Sequence, residues 1–181
     1  MSNGYKIWAD RSLKVSPKPD VDWFRGRGRF SDVAVLINVS DEYNFYDMHM
    51  IQASGVKTYW FPMNECKKDI GLNSLYGAMC VLYAAEEDCD SVVVHCAAGT
   101  NRSPVVVQAY HFMRTGRHVI EDIDGGRWSN RLERACYRGY LPPLKELEKF
   151  LHELMLHLKS KDPHIVGGSL DKIKRNTIFN F

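Results

Sequence analysis

The chain has 181 residues, of which 45% are hydrophobic and 25% charged. That length fits one domain of ordinary size, and the composition builds a buried core and excludes a disordered chain. The net charge of +2 is too mild for a nucleic-acid-binding surface.

In chain order, Met1 to Asp10 has no apolar signal core, and no run approaches the ~18 apolar residues of a membrane span. A soluble, cytoplasmic protein is therefore expected, with no membrane partner. Residues 1–30 are taken as an N-terminal segment of the same domain, and Arg25-Gly26-Arg27-Gly28-Arg29 within it as a solvated basic loop. Three β-like runs follow: Val33 to Val39, Gly55 to Phe61 and Ser91 to His95. The first and third are nearly continuous in apolar, β-branched residues, which suits strands covered on both faces. Between the second and third, Leu75, Met79 and Leu82 recur at helical spacing. Ser103-Pro104 reads as a cap residue and a first-turn proline opening a helix to Met113. Leu144, Leu147, Leu151, Leu154 and Leu158 form a stripe that is expected to pack in the core. Residues 161–181 read as a loosely attached tail. Strands alternating with helices imply an α/β domain, with a mostly parallel central sheet flanked by helices.

Five cysteines are present, Cys66, Cys80, Cys89, Cys96 and Cys136, and none forms a Cys-x-x-Cys pair. The odd number and the spacing argue against a disulfide framework or a structural zinc site, and for reduced thiols. No metal or cofactor is expected.

One segment carries chemistry: His95-Cys96-Ala97-Ala98-Gly99-Thr100-Asn101-Arg102-Ser103. A cysteine followed six positions later by an arginine is a weak signal alone. Here an apolar strand enters the segment, a glycine sits in its middle and a helix leaves it. Such a strand–loop–helix leaves the backbone N–H groups of Ala97 to Arg102 free to converge on an oxyanion. The helix N-terminus adds partial positive charge at the same point. Arg102 can hold two phosphate oxygens through its planar fork. Cys96 at the bottom of this electropositive cup is expected to be a thiolate nucleophile. Gly99 supplies a positive φ or a close backbone approach.

The unit His95-Cys96-x5-Arg102-Ser103 resembles the signature of the protein tyrosine phosphatase superfamily, in particular its compact dual-specificity branch. The likeness runs from about Ala34 to Leu151 and takes in Leu36-Ile37-Asn38-Val39, Tyr59-Trp60-Phe61-Pro62 and Arg138-Gly139-Tyr140-Leu141. Residues 31–160 are thereby expected to form the catalytic domain. The resemblance implies in-line attack by Cys96 on phosphorus and a phosphocysteine intermediate. Arg102 and the loop N–H groups would stabilise the equatorial oxygens, and Ser103 would donate to the departing thiolate. His95 would lie beneath the loop and orient it.

The family also supplies an aspartic acid about thirty residues before the cysteine, and here the pattern departs. The corresponding stretch reads Phe61-Pro62-Met63-Asn64-Glu65-Cys66-Lys67-Lys68-Asp69, with Asn64, Glu65 and Asp69 lying 32, 31 and 27 residues before Cys96. Asn64 has no labile proton to give. Glu65 is preferred as general acid and Asp69 is the alternative. An acid contributes ~10²–10⁴-fold in rate.

Ala97, Ala98, Thr100 and Asn101 are uncharged, whereas phosphoinositide-directed relatives place basic residues there. The expected substrate is therefore phosphotyrosine, with phosphoserine or phosphothreonine, in a protein or peptide. Tyr46, Tyr59, Trp128 and Tyr140 are candidate aromatic walls, but each fits the core better. The readings left open are a phosphoprotein-binding module of little or no activity, an RNA 5′-triphosphatase, and a rhodanese-like sulfurtransferase or arsenate reductase.

Overall fold

The computed structural model describes residues 4–5, 13–42, 45–64, 67–88, 90–118 and 131–160. Five strands form one sheet in the order β1-β2-β5-β3-β4. They are β1 (Gly4–Tyr5), β2 (Leu13–Ser16), β3 (Val35–Asn38), β4 (Lys57–Trp60) and β5 (Val92–His95). All neighbours are parallel except the β1–β2 pair, which is antiparallel.

The parallel core follows from the residues. Every residue of β3 and β5 is buried, and strands covered on both faces read as continuous apolar runs. Alternation along each strand divides the side chains between two clusters. Val35, Ile37, Val92 and Val94 join one, and Leu36 and Val93 join the other. The second cluster is closed by a 3₁₀ turn at Val21–Phe24 and by α1 (Phe45–Gln52), through Phe24, Phe30, Met48 and Ile51. The first is closed by α2 (Lys68–Glu87), α3 (Arg102–Thr115), α4 (Arg131–Tyr137) and α5 (Leu144–Ser160). Leu147, Leu151 and Leu154 of the expected stripe are buried on α5. Fully burying one such leucine stabilises the fold by about 1.5–3 kcal/mol.

Several particulars differ from expectation. Leu13-Lys14-Val15-Ser16 was not foreseen as a strand, yet it pairs in parallel with β5, Ser16 lying opposite His95. Its four residues carry no periodic signal long enough to read; pairing with β5 decides it. The helix after the cup begins at Arg102, capped by Asn101 without a side-chain bond. Ser103 therefore sits inside the first turn, and its hydroxyl lies 3.3 Å from the Cys96 sulfur instead of capping the helix.

The basic loop is exposed, as expected, but it is not merely solvated. The Arg29 guanidinium lies 5.2 Å from the Trp23 ring centre and 5.3 Å from that of Phe30. Tyr59 was expected in the core. It stands 37% exposed on the edge strand β4, with its ring stacked on Phe61 at 6.3 Å. Among the described residues no helix is long and apolar enough to cross a membrane.

Candidate active site

The four parallel strands end at one edge of the sheet, where an α/β domain gathers its site. Register fixes what meets there. Asn38 lies opposite both His95 and Trp60, so the chain leaving β3 runs beside the loop leaving β5 on one side and beside the loop leaving β4 on the other. From β2, Lys18 donates its backbone N–H to Ala97 O at 3.1 Å.

The loop after β5 carries the candidate cup. Gly99 takes φ +69°, and a Cβ there would stand 2.6 Å from Pro17 N and 2.7 Å from Ser16 C. Both proposed reasons for glycine apply at once, the left-handed backbone and the close approach. Cys96 is 2% exposed, and its Sγ lies 3.3 Å from Ser103 Oγ. Burial is the largest single influence on the thiol and opposes its ionisation. The Ser103 hydroxyl and the backbone N–H groups of Ser103, Gly99 and Asn101 act the other way. Together they prevail and hold the thiol below its ordinary range.

His95 is 4% exposed, beneath the loop, with Nδ1 3.4 Å from Cys96 O. Its Nε2 has no partner among the described residues. Burial pushes its pKa down to about 4, partly offset by the bond to Cys96 O, so the ring is neutral at pH 7. Of the remaining cup residues, Ala97, Ala98, Thr100 and Asn101 are exposed at the rim, and Arg102 is half-buried on the first turn of α3.

Arg102 has a partner that was not anticipated. Its Nη1 donates to Asp41 Oδ1, and more weakly to Met63 O at 3.4 Å. Asp41 is set in place by the turn after β3. Ser40 donates both its N–H, at 2.9 Å, and its hydroxyl, at 2.7 Å, to Asn38 Oδ1. Trp60 Nε1 donates to Ser40 O at 2.8 Å. A carboxylate three residues past a strand that adjoins β5 was the available signal: it had to fall beside the cup.

The loop expected to hold the general acid is firmly seated through Asn64. Phe61 N donates to Asn38 O at 2.9 Å, Met63 N to Val39 O at 3.2 Å, and Ser74 Oγ to Pro62 O. It brings Asn64 to a groove bordered by Asn101 and Arg102. Glu65 and Cys66 lie outside the described residues, as do Cys89 and Trp128. Asp69 belongs to the first turn of α2, and its side chain, like that of Tyr46, lies outside the description. Tyr140 is half-buried and borders the same groove.

Comparison with known proteins agrees with this geometry. Residues 30–124 match the family model described as "Dual specificity phosphatase, catalytic domain", just over half of the chain. The chain belongs to that family. The phosphatase is 26% identical over 98 residues to a protein of Invertebrate iridescent virus 6 named "Putative tyrosine phosphatase 123R", covering 54% of this chain and 68% of that one. Its fold is similar to that of DUSP15, with a TM-score of 0.55 at 18% identity over 87% of this chain and 96% of the other. It is also similar to Tk-PTP in its active form, with a TM-score of 0.54 at 15% identity over 83% and 97%. These neighbours carry the cysteine-phosphatase fold, with its sheet between helices.

Proposed function

We propose that this phosphatase removes phosphate from phosphotyrosine, and from phosphoserine or phosphothreonine, in protein or peptide substrates through a phosphocysteine intermediate. The observation that carries the reading is the buried Cys96 thiol, held below its ordinary pKa by the Ser103 hydroxyl and the N–H groups of its own loop. A group buried against its charge, yet stabilised in the charged form, is a nucleophile prepared in advance.

In the first step the Cys96 thiolate attacks phosphorus, the P–S bond forms and the P–O ester bond breaks. Glu65 delivers its proton to the leaving oxygen; Asp69 is the alternative donor. Arg102 turns its fork from Asp41 to the equatorial oxygens, and the loop N–H groups share their charge. In the second step the ionised acid takes a proton from water as the water oxygen attacks phosphorus. The P–S bond breaks, and the Ser103 hydroxyl donates to the departing thiolate. The uncharged residues Ala97, Ala98, Thr100 and Asn101 support a single-phosphate protein substrate over an inositol lipid. The reaction as written uses no metal or cofactor.

The test uses two esters. p-Nitrophenyl phosphate has a good leaving group, whereas a phosphotyrosine peptide needs protonation. Cys96→Ser is expected to abolish turnover of both while still binding phosphate. Glu65→Gln is expected to slow the peptide by ~10²-fold or more and the nitrophenyl ester far less. Wild-type turnover by Cys96→Ser refutes the nucleophile, and a selective loss in Asp69→Asn instead moves the acid to Asp69. A weakly active, phosphoprotein-binding role remains the second reading. It is favoured by Asn64, a side chain with no labile proton, at the groove beside the cup. Wild-type protein that binds the peptide without turning it over would establish that role.

A further inference from the structure

On the α1 face of the sheet, at the end where the strands meet the cup, lies a polar cavity of about 510 Å³. Cavities that hold small ligands measure about 300–1,000 Å³. Two of its walls, Asn38 and His95, belong to a polar row set by register. Ser16, His95, Asn38 and Trp60 stand in line across β2, β5, β3 and β4. Two residues earlier on the same face, Val93 and Leu36 pack in the apolar cluster closed by α1. The face thus turns from apolar to polar in a single step, and it does so under cover: Ser16, Asn38 and His95 are 0%, 2% and 4% exposed.

Buried polar groups need partners. Ser16 Oγ donates to Pro17 O at 2.6 Å, Asn38 Oδ1 accepts from Ser40, and Trp60 Nε1 donates to Ser40 O. His95 is the exception. Its Nδ1 faces the Cys96 carbonyl at 3.4 Å and so is the nitrogen that carries the proton. Nε2 is then a bare acceptor, buried and without a partner among the described residues. An acceptor left in that state costs stability, which a donor in the cavity would recover. The charged walls add to the surplus of acceptors. Lys18 Nζ is already held by Asp47 at 2.9 Å. Glu42 is exposed and has no ion pair with a described residue. With His95 neutral, the charges of Lys18, Asp47 and Glu42 around the cavity leave one net negative charge.

We propose that this cavity binds a guanidinium or ammonium group, whose N–H donors serve His95 Nε2 and the Glu42 carboxylate. Such a group brings one positive charge and several donors to walls that offer acceptors. A guanidinium suits it best, because its planar fork donates in two directions at once. The group has two possible sources, an arginine or lysine of the substrate and a free guanidine or amine. Ala97 borders both the cavity and the rim of the cup, so a basic residue near the phosphoresidue comes within reach. The site itself stands without the phosphatase reading; only the substrate as source rests on it.

The full chain, labelled with ¹⁵N in its seven histidines, is titrated with methylguanidinium chloride and with methylurea, its neutral isostere, sodium chloride holding the ionic strength constant. His95→Asn identifies the His95 imidazole signals. Methylguanidinium is expected to move the His95 Nε2 resonance saturably, and methylurea to bind at least about fivefold more weakly. In Glu42→Gln the affinity for methylguanidinium is expected to fall by about twofold to fivefold, the effect of one partly exposed ion pair. In Glu42→Lys it falls further, and thermal melting reports that both variants fold. No saturable shift at His95, equal binding of the two probes, or an affinity unchanged in both Glu42 variants overturns the site. A second arm finds the source, comparing kcat/KM on phosphotyrosine peptides that carry arginine or citrulline close to the phosphoresidue. A preference for arginine that is lost in Glu42→Gln assigns the group to the substrate. Equal rates beside saturable methylguanidinium binding assign it to a free guanidine or amine, and the site is upheld in either case. If wild type turns over neither the peptides nor p-nitrophenyl phosphate, the phosphatase reading fails separately, and the titration still decides the site.

Discussion

Replacing Ser103 with alanine removes one of the groups that keep Cys96 ionisable. Ser103 is fully buried, and its Oγ stands 3.3 Å from Sγ, so alanine there leaves the sulfur without that donor. A hydrogen bond to a charged group contributes about 1.5–3 kcal/mol, and one pKa unit corresponds to about 1.4 kcal/mol. The thiol pKa is therefore expected to rise by about one to two units, because burial, already the largest influence on it, is then less opposed. A thiol whose folded pKa is depressed stabilises the protein at pH above its unfolded value, and that contribution is lost as pH falls through the folded value. The variant keeps less of that alkaline stabilisation. The assay is the pH dependence of Cys96 alkylation by iodoacetamide, followed on the Cys96 peptide by mass spectrometry because other thiols are present. In turnover, the thiolate becomes a poorer leaving group, and phosphocysteine hydrolysis is expected to slow by about tenfold to a hundredfold, giving a burst of product. Ser103→Thr keeps a hydroxyl and is expected to restore much of both effects. An alkylation midpoint that stays put or moves to lower pH in Ser103→Ala would refute the hydrogen-bond account.

Two further substitutions probe the cup. Gly99→Ala places a Cβ within 2.9 Å of three backbone atoms of Ser16 and Pro17 at φ +69°. Backbone strain of ~1–3 kcal/mol should lower the melting temperature by roughly 3–10 °C and reduce turnover more than a hundredfold; an active, equally stable variant would show that the loop relaxes freely. Asp41→Asn releases Arg102 from a half-exposed ion pair. Since such pairs contribute up to about 1 kcal/mol, inorganic phosphate should inhibit about two- to fivefold more tightly. Weaker inhibition would mean that Asp41 orients the guanidinium for phosphate instead of competing for it.

What the sequence made legible has a physical pattern. Val33 to Val39 and Ser91 to His95 could be read because both faces of β3 and β5 are covered, which leaves an unbroken apolar run. The candidate cup could be read because its parts are contiguous: Cys96, Gly99, Arg102 and Ser103 lie within one loop and one helical turn. Leu13 to Ser16 could not, since four residues become a strand only through their pairing with β5. Asp41 could not be singled out without knowing that β3 lies beside β5. Arg131 meets Asn101 at the rim of the cup on a helix docked on α3 by the bond from Leu132 N to Gln108, a packing that no local pattern spells out. The resemblance carried the dual-specificity architecture further than residue patterns alone, but it said nothing of either contact.

The legible part of the site is also the part whose groups need the tightest placement. Ionising Cys96 requires several weak donors to outweigh one large burial cost, so each donor must be placed within tenths of an ångström. A short contiguous loop, pinned at Gly99 against the end of β2, holds that tolerance. Substitutions in the 96–103 loop should therefore lower turnover of every ester together, p-nitrophenyl phosphate and phosphotyrosine peptide alike, and a variant there that slows one ester alone would count against this account.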